Sequence, residues 1–225
     1  MMNKLQMNAR GKKGEILLYG DIGEGFFTDG ITAKDFIGNL NAMGNVSEID
    51  IRVNSPGGDV FEGFSIYNAL IRHPAKINVH VDGLAASIAS IIAMSGDSIN
   101  ISDNGMMMIH EPWSMAVGDA DEFRAKAQTL DKMRENLLAT YVSRTGGDRD
   151  AISGLMKAET WMTAEEAVSR GFADFKVESE MMAASLNLSI YGFKHTPEKY
   201  KVKGTPNLDS ARDAFKGLEE RFNLK

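Results

Sequence analysis

The chain has 225 residues, 43% of them hydrophobic, and a formal net charge of −6. That is enough apolar material for one medium-sized domain plus extensions, and it gives no electrostatic reason to bind nucleic acid. The absence of cysteine removes disulfides, thiol nucleophiles and thiolate metal sites, and fits a reducing, cytoplasmic setting.

Residues 1–14 are polar and basic and read as a flexible N-terminal arm, with no long apolar segment of the kind a secretory signal needs. Residues 15–20 read as a short strand, and 21–30 as a glycine-rich loop too irregular to cradle phosphate. Thr32 caps a helix that carries Phe36, Ile37 and Leu40 at helical spacing. Strict alternation over 48–54 predicts a strand, running through Ser55-Pro56-Gly57-Gly58-Asp59 into a helix over 60–72 that His73-Pro74 stops. Residues 77–82 predict the next strand, followed by a tight turn and a helix over 86–94. This apolar run contains serines and is too short for a membrane span. Alternating strands and helices imply an α/β fold of parallel strands with right-handed crossovers.

Residues 98–102 read as a short strand, 103–105 as a turn and 106–110 as a buried strand ending at His110. A long helix is expected over 118–141, broken by Gly146-Gly147, and a short one over 150–156. Thr163-Ala164-Glu165-Glu166 is a capping box that opens a further helix, which Gly171 ends; residues 172–177 suggest a last strand. The core is thus expected over 15–178, with 179–225 as an extension whose residues 210–224 have an amphipathic pattern.

Ser87 stands where a strand gives way to a helix, among Ala85, Ala86 and Ala89. A serine there is either a helix cap or a nucleophile, and a nucleophile needs a base within reach. Of the four histidines, His73 precedes a proline, His195 lies in the polar tail and His80 sits mid-strand; His110, at a strand end, is the one placed to serve. Gly57 and Gly58 follow a parallel strand and open a helix, where glycine lets backbone approach a ligand closely. The turn is ordinary by itself, yet the N–H of Gly58 would pair with that of Ile88 to bind an oxyanion. A Gly-x-Ser-x-Gly elbow, a Walker loop, a dinucleotide fingerprint and metal-ligand histidine pairs are all missing from the sequence.

Three stretches together resemble the proteolytic subunit of Clp protease, ClpP: Asn54-Ser55-Pro56-Gly57-Gly58, Gly83-Leu84-Ala85-Ala86-Ser87 and Met108-Ile109-His110-Glu111-Pro112. A weaker fourth runs from Trp161 through Asp174, and the resemblance spans residues 15–177 in order. It implies a ClpP/crotonase-like α/β fold with a long handle helix, and a serine endopeptidase that needs no cofactor or metal. Ser87 matches the nucleophile, His110 the general base, and the N–H groups of Gly58 and Ile88 the oxyanion hole. The third triad member departs from the family: Glu159 stands where an aspartate is usual, with Asp174 as a fallback. Gly57, Trp113 and Ser114 fall where substrate binds, although the glycine-bearing strand expected after Pro112 is replaced. Glu159-Thr160-Trp161-Met162-Thr163 and the C-terminal extension look more like ClpP-related proteins of phages and prophages. That branch implies ATP-independent capsid (prohead) maturation in a bacterial or phage-infected cytoplasm, with capsid or scaffold proteins as substrates and a ring-forming homo-oligomer. A housekeeping peptidase working with an AAA+ unfoldase and a non-catalytic capsid subunit are the rival readings, and an acyl-CoA enzyme of the crotonase type is a third. None involves nucleic acid or membrane.

Overall fold

Alternation of apolar and polar residues runs through three strands and decides how the sheet is built. β2 (Lys13–Tyr19), β3 (Glu48–Ser55) and β4 (Lys76–Ala86) pair in parallel. Ile16, Leu18, Ile49, Ile51, Val53, Ile77, Val79 and Val81 from these strands are all at most 2% exposed. They share one core with Phe36 and Leu40 of α1 (Ala33–Ala42), Ile66 and Leu70 of α2 (Val60–Ile71) and Ile91 and Ile92 of α3 (Ile88–Ala93). The alternate residues carry ion pairs instead: Lys13 to Asp50 at 2.8 Å and Arg52 to Asp82 at 2.6 Å, with the Tyr19 hydroxyl donating to Asp82 at 2.5 Å. Each buried isoleucine contributes about 1.5–3 kcal/mol. The apolar face therefore fixes the register, since a one-residue slip would expose it.

The computed structural model describes residues 4–24, 30–178 and 193–197. The chain divides into two units, Met1–Leu186 and Asn187–Lys225. All the described strands and helices belong to the first, and the helix expected over 210–224 lies outside the described residues. No helix among the described residues is long and apolar enough to cross a membrane.

Within the stretch expected to be a flexible arm, residues 1–14, the described residues instead form a strand: β1 (Lys4–Arg10) pairs antiparallel with β2. Gly11 takes φ +63° at the first position of the two-residue loop, where a tight hairpin requires a residue that tolerates positive φ. Leu5 and Met7 pack on the core, and this alternation is what drives the pairing.

β5 (Ser98–Ser102), β6 (Met106–Ile109) and β8 (Phe175–Val177) complete the parallel set, and β7 (Thr160–Thr163) runs antiparallel to β6. β4 is longer than expected and serves two neighbours in turn. Residues 78–81 pair with β5, and Leu84, Ala85 and Ala86 pair with β6. The tight turn expected after residue 82 is a bulge, because Val53 pairs Val81 while Ser55 already pairs Ala85. A side chain at Gly83 would press on Asn54 Oδ1 at 2.9 Å.

α4 (Ala120–Thr145), α5 (Arg149–Lys157) and α6 (Ala164–Ser169) follow, with Asp119, Asp148 and Thr163 as N-caps; the capping box at Thr163 forms as expected, and Asp119 makes another. Only Leu137, Leu138 and Tyr141 of α4 are buried. Its remaining length, in a helix of about 39 Å, touches little of the domain.

Candidate active site

Ser87 follows the last residue of β4, and its N–H continues the ladder onto Met108 O at 2.9 Å. Its backbone sits at φ 54°, ψ −130°, and its side chain makes no capping bond to α3. Capping, the simpler of the two roles open to it, is thus not what the hydroxyl does. Ser87 Oγ lies instead 2.8 Å from His110 Nε2. Parallel pairing explains the meeting: Ala86 is in register with Met108, so the end of β4 lies beside the end of β6, where His110 follows Ile109.

β7, which has no strand signature in the sequence, positions Glu159. Ile109 pairs Thr160 in the antiparallel ladder, so the next residues outward are His110 and Glu159. Glu159 is 7% exposed, and its Oε1 accepts from Trp161 Nε1 at 3.2 Å. It has φ 50°, and Ser87 and Glu159 are the two non-glycine residues at positive φ among those described. Such backbone costs about 1–3 kcal/mol per residue and persists where the surroundings hold it. The fallback Asp174 is engaged elsewhere: its Oδ2 accepts from Ile99 N at 2.7 Å and from Arg144 Nη2 at 2.6 Å. His80 lies 3.8 Å from Asp50, and His73 Nδ1 accepts from Ala75 N at 3.1 Å.

The glycine turn closes over the serine. Gly57 N donates to Ser55 Oγ at 3.1 Å, Gly57 O accepts from Ile22 N at 2.9 Å, and Asp59 N donates to Ile22 O at 2.8 Å. These bonds tie the turn to the loop before α1 without using the N–H of Gly58. A Cβ on Gly57 would lie 2.7 Å from Ser87 Cβ and 3.2 Å from Ile88 N. The missing side chain leaves that space clear beside the first amide of α3, which has no helical acceptor one turn back. At Gly58, φ is 147° and a Cβ would come within 2.1 Å of Ile22 O. Residues 110–117 form neither helix nor strand. Within them Trp113 is 59% exposed, and the Ser114 hydroxyl donates to Met115 O at 3.1 Å.

Two polar residues of this neighbourhood went unread in the sequence. Ser90 is fully buried and its hydroxyl donates to Ser87 O at 2.6 Å. Tyr141, from α4, has its hydroxyl 2.8 Å from Ser90 Oγ and is 1% exposed. Burial raises the Tyr141 pKa, against a lesser opposing effect of its bond to Ser90, so the phenol keeps its proton. Ser90 stands one helical turn from Ser87 and carries a faint signal; Tyr141 is 51 positions further along and carries none.

The solved structure of a ClpP1 point mutant from Listeria monocytogenes is similar to this chain, with a TM-score of 0.64 and 24% identity, covering 73% of this chain and 91% of that one. The α/β architecture expected from the three motifs is therefore the one observed. The family model described as Clp protease matches residues 6–180, which include both ends of the Ser87–His110 contact and the strand that places Glu159. On that match, and on a fold shared over most of its length, the chain belongs to the Clp protease family.

Proposed function

We propose that this protein is a ClpP-type serine endopeptidase in which Ser87 is the nucleophile and His110 the general base. The observation that carries the reading is the 2.8 Å approach of Ser87 Oγ to His110 Nε2 at a serine that caps nothing. Ser87 attacks the scissile carbonyl as its proton passes to His110. The imidazolium returns that proton to the leaving amine as the C–N bond breaks, and a water activated by the same imidazole releases the acyl group. The N–H groups of Gly58 and Ile88 receive the oxyanion. Glu159 holds and stabilises the imidazolium; supporting this role, Glu159 is 7% exposed, and it and His110 are the next residues beyond the Ile109–Thr160 pair. Gly57 clears the floor of the substrate groove, with Trp113 and Ser114 along its side.

The work proposed for this peptidase is ATP-independent processing of capsid or scaffold proteins in a phage or prophage setting, by a ring-forming homo-oligomer. Three features support it. Glu159 departs from the usual aspartate, the chain continues well past the family match, and residues 4–10 are committed to a hairpin rather than left as an arm for an unfoldase. α4, with Phe123 51% exposed and the exposed Trp113, Met115 and Val117 in the segment leading into it, is a surface suited to a second copy.

A fluorophosphonate probe tests the chemistry on the full chain without ATP. Wild type should label and cleave an unstructured protein, Ser87→Ala and His110→Ala should do neither, and Glu159→Gln should label roughly 10²–10⁴-fold more slowly. Labelling that survives Ser87→Ala would overturn the assignment. An oligomer that assembles but neither labels nor cleaves would favour the non-catalytic capsid subunit.

A further inference from the structure

The trans peptide joining Ser87 to Ile88 carries two groups of interest on opposite sides: the Ser87 carbonyl and the Ile88 N–H. Whatever pins the carbonyl also aims the amide. That carbonyl accepts twice from Ser90, from its N–H at 3.0 Å and its hydroxyl at 2.6 Å. A carbonyl can only accept, so the single Ser90 proton points to Ser87, and the 2.8 Å contact with Tyr141 must be donated by the phenol. The direction of the whole chain is therefore fixed, from Tyr141 to Ser90 to Ser87 O. Both hydroxyls are buried, and linked donors of this kind polarise one another in a low-dielectric interior. Tyr141 is itself clamped, its ring meeting Phe172 edge-on at 5.6 Å.

We propose that Tyr141 and Ser90 are positioning residues for the oxyanion hole, holding the strained Ser87–Ile88 peptide so that the Ile88 N–H faces the developing oxyanion. The role rests on the reading of Ser87 as nucleophile and adds a dependence of catalysis on α4. Neither residue touches substrate. Their contribution appears only as charge develops on the carbonyl oxygen, so it belongs to kcat and not to KM.

The test compares wild type with Ser90→Ala, Tyr141→Phe and the double variant, which leaves no buried hydroxyl stranded. Each is measured for cleavage of a peptide substrate, for inhibition by a peptide boronic acid that forms a tetrahedral adduct on Ser87, and for binding of the cleaved product peptide. Ser90→Ala should lower kcat about tenfold and weaken the boronic acid by a similar factor, in keeping with one lost hydrogen bond. KM and product affinity should stay within twofold. Tyr141→Phe should act in the same direction by less, and the double variant should be no worse than Ser90→Ala, because both act through one carbonyl. The proposal is overturned if kcat and boronic-acid affinity stay within twofold of wild type in all three, or if product affinity falls in step with them. Failure of the underlying reading has a separate signature: fluorophosphonate labelling would persist in Ser87→Ala, and the positioning role would fall with it.

Discussion

Ser87 and Glu159 are the non-glycine residues at positive φ among those described; Ser87 meets His110, and Glu159 follows His110 outward from the Ile109–Thr160 pair. Left-handed or mirror-image backbone costs an L-residue about 1–2 kcal/mol relative to glycine. Ser87→Gly is therefore expected to unfold at higher urea than Ser87→Ala, by about 1 kcal/mol at equal slope, although neither hydrolyses peptide. Equal midpoints for the two would show that the turn is not strained. The motifs around Ser87 and His110 were legible because they are short and local. Their residue types are demanded by the chemistry and stand at strand ends, where the alternation stops. The relation of Glu159 to them was legible only as a place in a family pattern. Its physical cause is a four-residue strand, Thr160–Thr163, too short and too mixed to alternate visibly.

At the scale of elements, strands and helices with clear periodicity and named caps were readable, from Thr32 opening α1 to the capping box at Thr163. The misreadings share a cause. Lys4–Arg10 alternates as strictly as β3, but its charged ends and the glycine after it resemble a loop until a partner strand is supplied. The Asp82-Gly83 step has turn composition, yet it lies within a strand that is paired on both sides of it, so tertiary pairing overrides local preference. The Gly57–Gly58 turn gives the sharpest prediction at this scale. Gly58→Ala would force a Cβ to within 2.1 Å of Ile22 O. The backbone must shift, and the proposed oxyanion donor with it. kcat/KM is expected to fall about 10²-fold, as for other lost oxyanion donors, while the far-UV circular dichroism stays that of wild type. Full activity in Gly58→Ala would remove that amide from the mechanism.

Across the molecule, the ionisable groups set how stability responds to acid. Burial lowers the His73 pKa below 6.5, and Nδ1 is an acceptor only while neutral. The unfolded chain thus takes up that proton first. The stabilisation is present above pH 6.5 and is lost as pH falls through the folded value. Asp50 is pushed up by burial, but hydrogen bonds from Lys13 and Asn78 outweigh this and hold it below 3.8, so its contribution disappears only in stronger acid. The melting temperature of the wild type should therefore drop as the pH falls below about 6.5. His73→Asn, which keeps an acceptor for Ala75 N without the titration, should flatten that slope in a calorimetric series; an unchanged slope would exclude His73 as the cause.

β6 is built from Met106, Met107 and Met108, at 8%, 0% and 0% exposure, with Met162 at 0% opposite Met107 on β7. Thioether side chains are unbranched and polarisable, so this wall fills space without rigid interlocking. It also makes oxidation the chemical lesion to which the site is most exposed in kind, and burial the shield against it. A sulfoxide formed here would place a new polar oxygen in the strand that receives the Ser87 amide and leads into His110. One oxygen atom, added without touching either side chain of the Ser87–His110 pair, would disturb both partners at once.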